Sequence, residues 1–511
     1  MGWAFFLSVQ MVAADRPQWG QRGSRNMVSE EKGLPDSFDP ATGRNIKWSA
    51  RLGTDTYSTP VIANGHILIG TNNGVPRDRQ YQGDRGVVMC FDEKTGRFLW
   101  QLVVPKLSKS VYWDWPNAGI CSSASVEGNR VYIVSNRGEV LCLDLHGMAD
   151  GNEGPFDQEA RHAALDQADP SPLSPTDADI IWLFDMIKDC GVRQHDSAHS
   201  SILIHGSLLY INTSNGVDDS HKKIDSPQAP SLVVLDKLTG RLIATDKEQI
   251  GPRIFHSSWS SPSLGLVLGR PLIFFGGGDG VLYAFEAFQK EAVPNSFAVQ
   301  NPGRTAPFPA NEQMAGLKKV WQFDCDLTAP KEEVHRYNGN RRESPSNIKS
   351  MPVFHQNRIY LTVGGDHWWG KNQAWLKCID TTGSGDITRT GEVWSYPLVR
   401  HSMCTPAVYN GLVFVGDSGR RIHCVDAGTG KPYWTHDVQG EIWASPLAAD
   451  DKVYFATRQG EFIIFAANRE KRLLYQINLG NPLNSSPVAA NGVLYLATMT
   501  HLYAIQNGAR K

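Results

Sequence analysis

The sequence predicts an all-β protein, an eight-bladed β-propeller of four-stranded antiparallel blades whose last blade is closed by the N-terminal strand. Three observations predict it. First, a short phrase ending in Ser-Pro or a near variant returns eight times along the 511 residues. Each copy runs into an apolar strand, a Gly or Asn turn and a second apolar strand, and the shortest copies recur at about 40 residues, as propeller blades do. Second, a column of tryptophans recurs late in the repeat. Third, the two chain ends carry complementary parts of one repeat.

The best copies of the phrase are Tyr57-Ser58-Thr59-Pro60, Trp259-Ser260-Ser261-Pro262, Trp443-Ala444-Ser445-Pro446 and Asn484-Ser485-Ser486-Pro487. Four weaker ones are Cys121-Ser122-Ser123-Ala124, His199-Ser200-Ser201-Ile202, Lys349-Ser350-Met351-Pro352 and Met403-Cys404-Thr405-Pro406. Strands one and two of each blade form a hairpin. Its turns include Ala63-Asn64-Gly65, Tyr409-Asn410-Gly411 and Ala490-Asn491-Gly492, and Asn-Gly tolerates the positive φ that tight hairpins need. Strand three carries an x-x-Asp phrase. Strand four presents Trp100, Trp182, Trp321, Trp394 or Trp434, with Ala244 in blade three and Tyr475 in blade seven.

Blade eight ends at Tyr503-Ala504-Ile505-Gln506 without a fourth strand. Asn45-Ile46-Lys47-Trp48-Ser49 supplies one from the other end of the chain, and Trp48 fills the vacant column. Joining the termini removes an open sheet edge. The expected organisation is a signal segment at 1–14, an N-terminal arm at 15–45 and the propeller at 46–511.

The composition describes a globular chain: 41% hydrophobic residues and a net charge of −2. A nucleic-acid partner would need a basic surface, and no stretch is apolar and long enough to span a bilayer. Met1 to Ala14 is apolar and ends Val12-Ala13-Ala14, which resembles a signal peptide without the usual basic start. Export to the periplasm or cell envelope is therefore expected. The eight cysteines do not read as a disulfide set. Cys90, Cys142, Cys378 and Cys424 share a repeat column with Val234, Ala284 and Ala504, so they are expected to fill small buried sites.

The fullest repeats are Cys90-Phe91-Asp92-Glu93-Lys94-Thr95-Gly96-Arg97-Phe98-Leu99-Trp100 and Cys424-Val425-Asp426-Ala427-Gly428-Thr429-Gly430-Lys431-Pro432-Tyr433-Trp434. They resemble the tryptophan-docking repeat, Ala-x-Asp-x-x-Thr-Gly-x-x-x-Trp, of the pyrroloquinoline-quinone (PQQ) type propellers. The resemblance covers nearly all of Ile46 to Gln506. Pro17-Gln18-Trp19-Gly20 followed by Gly33-Leu34-Pro35 is further similar to PQQ-like repeat proteins of planctomycete-type bacteria. The resemblance implies a superfamily that holds both quinoprotein alcohol dehydrogenases and cofactor-free scaffolds such as the BamB lipoprotein of outer-membrane assembly. Fold alone does not choose between them.

The innermost strands of a propeller line its channel, so the first residues of the eight phrases should meet near the axis. They are Tyr57, Cys121, His199, Trp259, Lys349, Met403, Trp443 and Asn484. A structural column would repeat one residue type; this one mixes aromatic, cationic and polar groups. The approach segments add Asp114, Trp115, His195, Asp196, Arg253, His256, Glu343, His401 and Glu441. PQQ is planar and carries carboxylates. It would need aromatic faces, cations and a calcium ion held by oxygens. Trp259 and Trp443 could stack, Lys349, Arg341 and Arg342 could meet carboxylates, and Glu343, Asn484, Asp114 and Asp196 could donate oxygens. The bland alternatives are packing tryptophans, a solvated Lys349 and a surface Arg342–Glu343 pair.

Several features depart from the quinoprotein dehydrogenases. The adjacent cysteine pair of the alcohol-dehydrogenase branch is absent, the calcium and base residues find no clear match, and the chain is short. A separate possibility is a transition-metal site built on His195, His199, His256 and His401, against which stands their reading as satisfied polar core residues. No Gly-x-Ser-x-Gly or P-loop occurs. The expected function is a monomeric, exported binding module for a small-molecule ligand or an envelope protein partner. The alternative is a PQQ- and calcium-dependent alcohol or sugar dehydrogenase.

Overall fold

The computed structural model describes residues 14–167, 169–288 and 314–510. They form eight antiparallel sheets, one per blade, each a meander in sequence order. Blade one is Val61–Ala63, His66–Asn72, Arg85–Asp92 and Phe98–Pro105. Blades two to seven follow over 125–185, 203–245, 263–324, 353–398, 407–437 and 447–478. Short segments at 315–316 and 385–386 add parallel fifth strands to blades three and four. Blade eight is Val488–Ala490, Val493–Ala497 and His501–Arg510, completed on its outer edge by Arg44–Arg51. The terminal closure read from the sequence is present, with Trp48 opposite Ala504. The proposed signal segment, Met1–Ala14, lies almost wholly outside the described residues.

The Asn-Gly turns have the paired positive φ their sequence requires, for example Asn410 at 50° and Gly411 at 74°. Across strands three and four, the small column directly faces the tryptophan column: Cys90 with Trp100, Cys142 with Trp182, Ala284 with Trp321, Cys378 with Trp394 and Cys424 with Trp434. Opposed residues share a face of the sheet, so a small side chain leaves room for the indole. A bulge follows each of these pairs and raises the local twist. All eight cysteines are free. Burial pushes the Cys142, Cys378 and Cys424 thiols up to about 12, the state of inert core residues.

Two sets of bonds join the blades. Each tryptophan donates its indole N–H to a carbonyl of the next blade: Trp48 to Glu93 (3.0 Å), Trp100 to Leu145 (2.8 Å), Trp182 to Lys237 (3.2 Å), Trp321 to Thr381 (3.1 Å), Trp394 to Ala427 (3.1 Å) and Trp434 to Asn468 (3.0 Å). The Gly of the Thr-Gly turn lies beneath the ring. A Cβ at Gly96 would come within 2.6 Å of Trp48, and one at Gly430 within 2.6 Å of Trp394.

The second set runs around the channel. The third residue of the recurring phrase donates its N–H to the hydroxyl of the same position one blade on. Thr59 donates to Ser123, Ser201 to Ser261, Met351 to Thr405, Thr405 to Ser445 and Ser445 to Ser486. Ser486 then donates to Thr59 at 3.2 Å, joining the last blade to the first. This is why the phrase carries Ser or Thr there in every blade but the fifth, where Met351 donates its N–H but offers no hydroxyl.

Residues 15–29 cross the far end of the inner strands. Backbone bonds tie Arg16 to Ile62, Pro17 to Val126, Gly23 to Leu264, Ser24 to Phe354 and Met27 to Ala448. Asn26 bonds Val408, and Ser29 bonds Ala489. Arg25, wholly buried, donates to the Ser201, Pro262 and Trp19 carbonyls. Burial lowers its guanidinium to about 9. The arm therefore touches the inner strands of all eight blades.

Two measurements check this architecture. Removing residues 1–50 strips blade eight of its outer strand and the channel of its arm; cooperative thermal unfolding should be lost or displaced far downward, and an unchanged melt contradicts the closure. In the small column, Cys424→Ala should cost about 1 kcal/mol and Cys424→Asp at least about 3 kcal/mol, as an unpaired buried charge does. Equal melting temperatures for the two variants contradict the burial.

Candidate functional site

The first residues of all eight phrases line one cavity of about 470 Å³ at the channel mouth. The set read from the periodicity of the sequence thus converges. Other parts of the chain complete the wall: Tyr112, Trp115 and Ala118 before blade two, His221 on the blade-three insertion, His256, Trp368 and Trp369 after a strand of blade five, and Arg458 in blade seven. Trp19 of the N-terminal arm also contributes. A second groove, on the outer side of blade four, is crossed by its own ion pairs, Lys319–Glu248, Arg253–Asp279 and Lys331–Asp324, and gathers none of the candidate residues except Arg253.

Lys349 is buried rather than solvated. Its Nζ lies 4.2 Å from the Trp259 ring centre and 4.3 Å from that of Trp368, a cation held between two π faces. It also donates to Asp366 Oδ2 at 2.8 Å. The same oxygen accepts from His256 Nδ1 at 3.1 Å and from Asn347 Nδ2 at 3.1 Å. The other oxygen accepts the N–H groups of Trp368 (2.9 Å) and Trp369 (3.0 Å), which places both indoles. Burial alone would raise Asp366. The charges and hydrogen bonds of His256 and Lys349 outweigh it and hold the carboxyl well below the usual carboxylate range. Burial lowers Lys349, with Asp366 opposing.

Across the mouth, the Arg458 guanidinium stacks 3.8 Å from the Trp443 ring centre. Glu441 accepts from the Trp443 indole at 3.1 Å and from Arg458 at 3.3 Å. Asn484 contributes a buried Oδ1 without a hydrogen-bond partner among the described residues.

Arg341, Arg342 and Glu343 do not line the cavity. Arg341 donates to the carbonyls of His367, Trp368 and Gly370, so it pins the loop that carries the tryptophans. Arg342 and Glu343 are exposed, and their N–H groups bond Asn340. Asp114 is spent on Lys106 (2.5 Å), Asn136 (2.7 Å) and Ser197 (3.2 Å). Of the four residues proposed to donate oxygens to calcium, Asp196 and Asn484 line the cavity and Asp114 and Glu343 do not.

The histidines divide. The sequence predicts an extended segment at 195–199, but Asp196 (φ 61°) and Ser197 (φ 94°) take positive φ. The chain turns, and the two histidines part. His199 packs on Trp259 with ring centres 4.3 Å apart, and burial followed by Lys349 lowers it to about 4. His401 is buried and lowered to about 3, first by burial and then by Lys349. His195 and His256 come together, and they are joined by His221, which sequence reasoning did not reach.

The profile of the family described as outer membrane protein assembly factor BamB matches residues 384–509. A curated relative, quinohemoprotein alcohol dehydrogenase ADH IIB of Pseudomonas putida, is 22% identical over 455 residues. That match takes in 83% of this chain but 56% of the relative, so the chain spans little more than half its length. The C-terminal part of the chain is thus similar to the BamB family, and most of its length to a quinohemoprotein. Among solved structures, BamB from Moraxella catarrhalis has a TM-score of 0.51 at 14% identity, covering 91% of this chain and 98% of that one. Quinohemoprotein alcohol dehydrogenase from Comamonas testosteroni has a TM-score of 0.58 at 11% identity, covering 97% and 81%. At these identities the structural likeness speaks to fold alone.

The buried His401 makes stability depend on acid. Its folded-state value is about 3 against an ordinary 6.5, so the unfolded chain takes up a proton first as pH falls. Its contribution is complete above about pH 6.5 and is lost progressively toward pH 3. Melting temperatures across that window should fall less steeply for His401→Phe than for the unaltered protein; parallel curves contradict the assignment.

Proposed function

We propose that this propeller is an exported binding module whose channel mouth takes a small organic ligand with a flat apolar face and an anionic group. The observation that carries the reading is the convergence of side chains from all eight blades, with Trp259, Trp368 and Trp443, on one cavity beside Lys349 and Arg458. A mostly aromatic cavity with a few placed polar groups, in the range of about 300–1,000 Å³, is the ordinary form of a small-molecule site. Lys349 and Arg458 already have carboxylate partners, so they orient a ligand more than they draw it in. Export is supported by the outer-membrane description of the matching family. A net charge of −2 gives no reason to add a nucleic-acid partner, and an envelope protein partner would dock over the same mouth.

The second reading, a PQQ-dependent oxidoreductase, is favoured by the quinohemoprotein relative. The indoles suit the quinone ring, and Lys349 and Arg458 suit its carboxylates. Calcium fits poorly, because only Asp196 and Asn484 of the four proposed oxygen donors line the mouth. When bound, PQQ would supply the redox chemistry; the residues here would hold and orient it.

Calorimetric titration with PQQ, with and without Ca²⁺, tests both. The binding-module reading expects one site that needs no calcium. A Lys349→Ala, Trp443→Ala double variant should weaken it by at least about tenfold, or 1.4 kcal/mol. Binding that appears only with Ca²⁺ moves the reading to the oxidoreductase. Binding left unchanged by the double variant, or no binding, overturns the mouth as a site for such a ligand.

A further inference from the structure

We infer that His195, His221 and His256, with Asp196 beside them, form a site for a divalent first-row transition-metal ion in the wall of the mouth. The ligand atoms of the three histidines all lie within 4.8 Å of one another, and all three side chains are buried. His195 Nε2 and His256 Nε2 have no hydrogen-bond partner among the described residues, nor does Asp196 Oδ1. A buried polar atom left unpaired costs about 1–3 kcal/mol. Several in one cluster point to a shared partner. Asp196 Oδ2 is 3.5 Å from His195 Nε2 and 3.8 Å from His256 Nε2.

The outer ring nitrogens are placed to leave the inner ones ligating. His256 Nδ1 donates to Asp366, the carboxylate–histidine arrangement that orients metal-bound imidazoles. His195 Nδ1 lies 3.0 Å from the Val217 carbonyl, and His221 Nδ1 lies 3.3 Å from that of Asp219. Donation to these carbonyls leaves each Nε2 with its lone pair. Arg193 Nη1, 2.9 Å from His195 Nδ1, has the Gln194 carbonyl at 3.2 Å as its acceptor in that tautomer.

The backbone is shaped to this group. Asp196 and His221 both take left-handed φ, 61° and 57°. A Cβ at Gly216 would lie 2.6 Å from His195 Cβ and 2.8 Å from the His256 carbonyl oxygen, so only glycine lets these segments approach. Tyr112 stacks on His195 at 5.7 Å and meets His221 edge-on at 4.8 Å. His221, His256 and Asp196 also line the cavity, which leaves a coordination position open to a small ligand. Imidazole nitrogens with one carboxylate suit zinc, iron, nickel or copper; calcium and magnesium prefer all-oxygen shells. The inference stands whether or not PQQ binds at the mouth.

Titration of the metal-free full chain with Co²⁺, followed by visible absorption, and with Zn²⁺ by calorimetry, tests it. One equivalent should bind, with the strong visible bands of a four- or five-coordinate cobalt ion. His221→Ala and His256→Ala should each lower affinity by about 100-fold or more. Asp366→Asn should lower it about 10- to 100-fold, as loss of such an outer partner does. His401→Phe should leave it unchanged. Circular dichroism and melts establish that each variant folds. His221→Ala, on the insertion rather than a strand, keeps the test open if His256→Ala does not fold. Failure to bind a stoichiometric ion, or undiminished affinity in folded His221→Ala, overturns the inference.

Discussion

A ring of eight blades must close on itself, and that constraint governs everything else in this molecule. The hydroxyl-to-amide belt around the channel meets it at the inner edge, where Ser486 hands its N–H to Thr59. The indole bonds meet it on the outside, where Trp48 of the completed last blade reaches Glu93 of the first. Each bond is worth about 1 kcal/mol net, so no single one holds the ring. Their repetition fixes the rotation from blade to blade. That rotation delivers residues separated by hundreds of positions to a single mouth.

Within the mouth the organising group is Asp366. Five donors converge on its two oxygens. A buried ion pair is weak evidence for stability, because desolvation offsets its attraction. Its role here is geometric. It fixes Lys349 between two indoles, orients His256 and sets the turn that presents Trp368 and Trp369. One carboxylate therefore couples the aromatic half of the mouth to its histidine half, and a change on either side is felt on the other.

The sequence made the repeating part of this legible. Strand columns, the terminal closure and all eight phrase-leading residues of the mouth follow from a period of fixed geometry. What it left hidden arrives outside that period. Trp368, Trp369 and His221 sit on turns and insertions with no counterpart in other blades. Arg458 follows a strand in blade seven and resembles an ordinary turn residue until its stacking on Trp443 is seen. The N-terminal arm bonds mainly to backbone groups, which leave little mark in side-chain patterning, although a buried Arg25 among small polar residues hints at an unusual segment. Asp196 and Ser197 turn the chain between His195 and His199, at positive φ that their residue types do not announce. Arg341 grips the turn that carries Trp368 through its carbonyls, while Arg342 and Glu343 lie exposed outside the mouth, a division that their charge and position in the chain do not reveal.

The most direct test of the account is a crystal structure of the full chain grown with PQQ as the probe. The account predicts the ring system inside the mouth, its plane against Trp259, Trp368 or Trp443 and a carboxylate within hydrogen-bond reach of Lys349 or Arg458. PQQ bound on an outer face of a blade, with the mouth unchanged at saturating concentration, would contradict it.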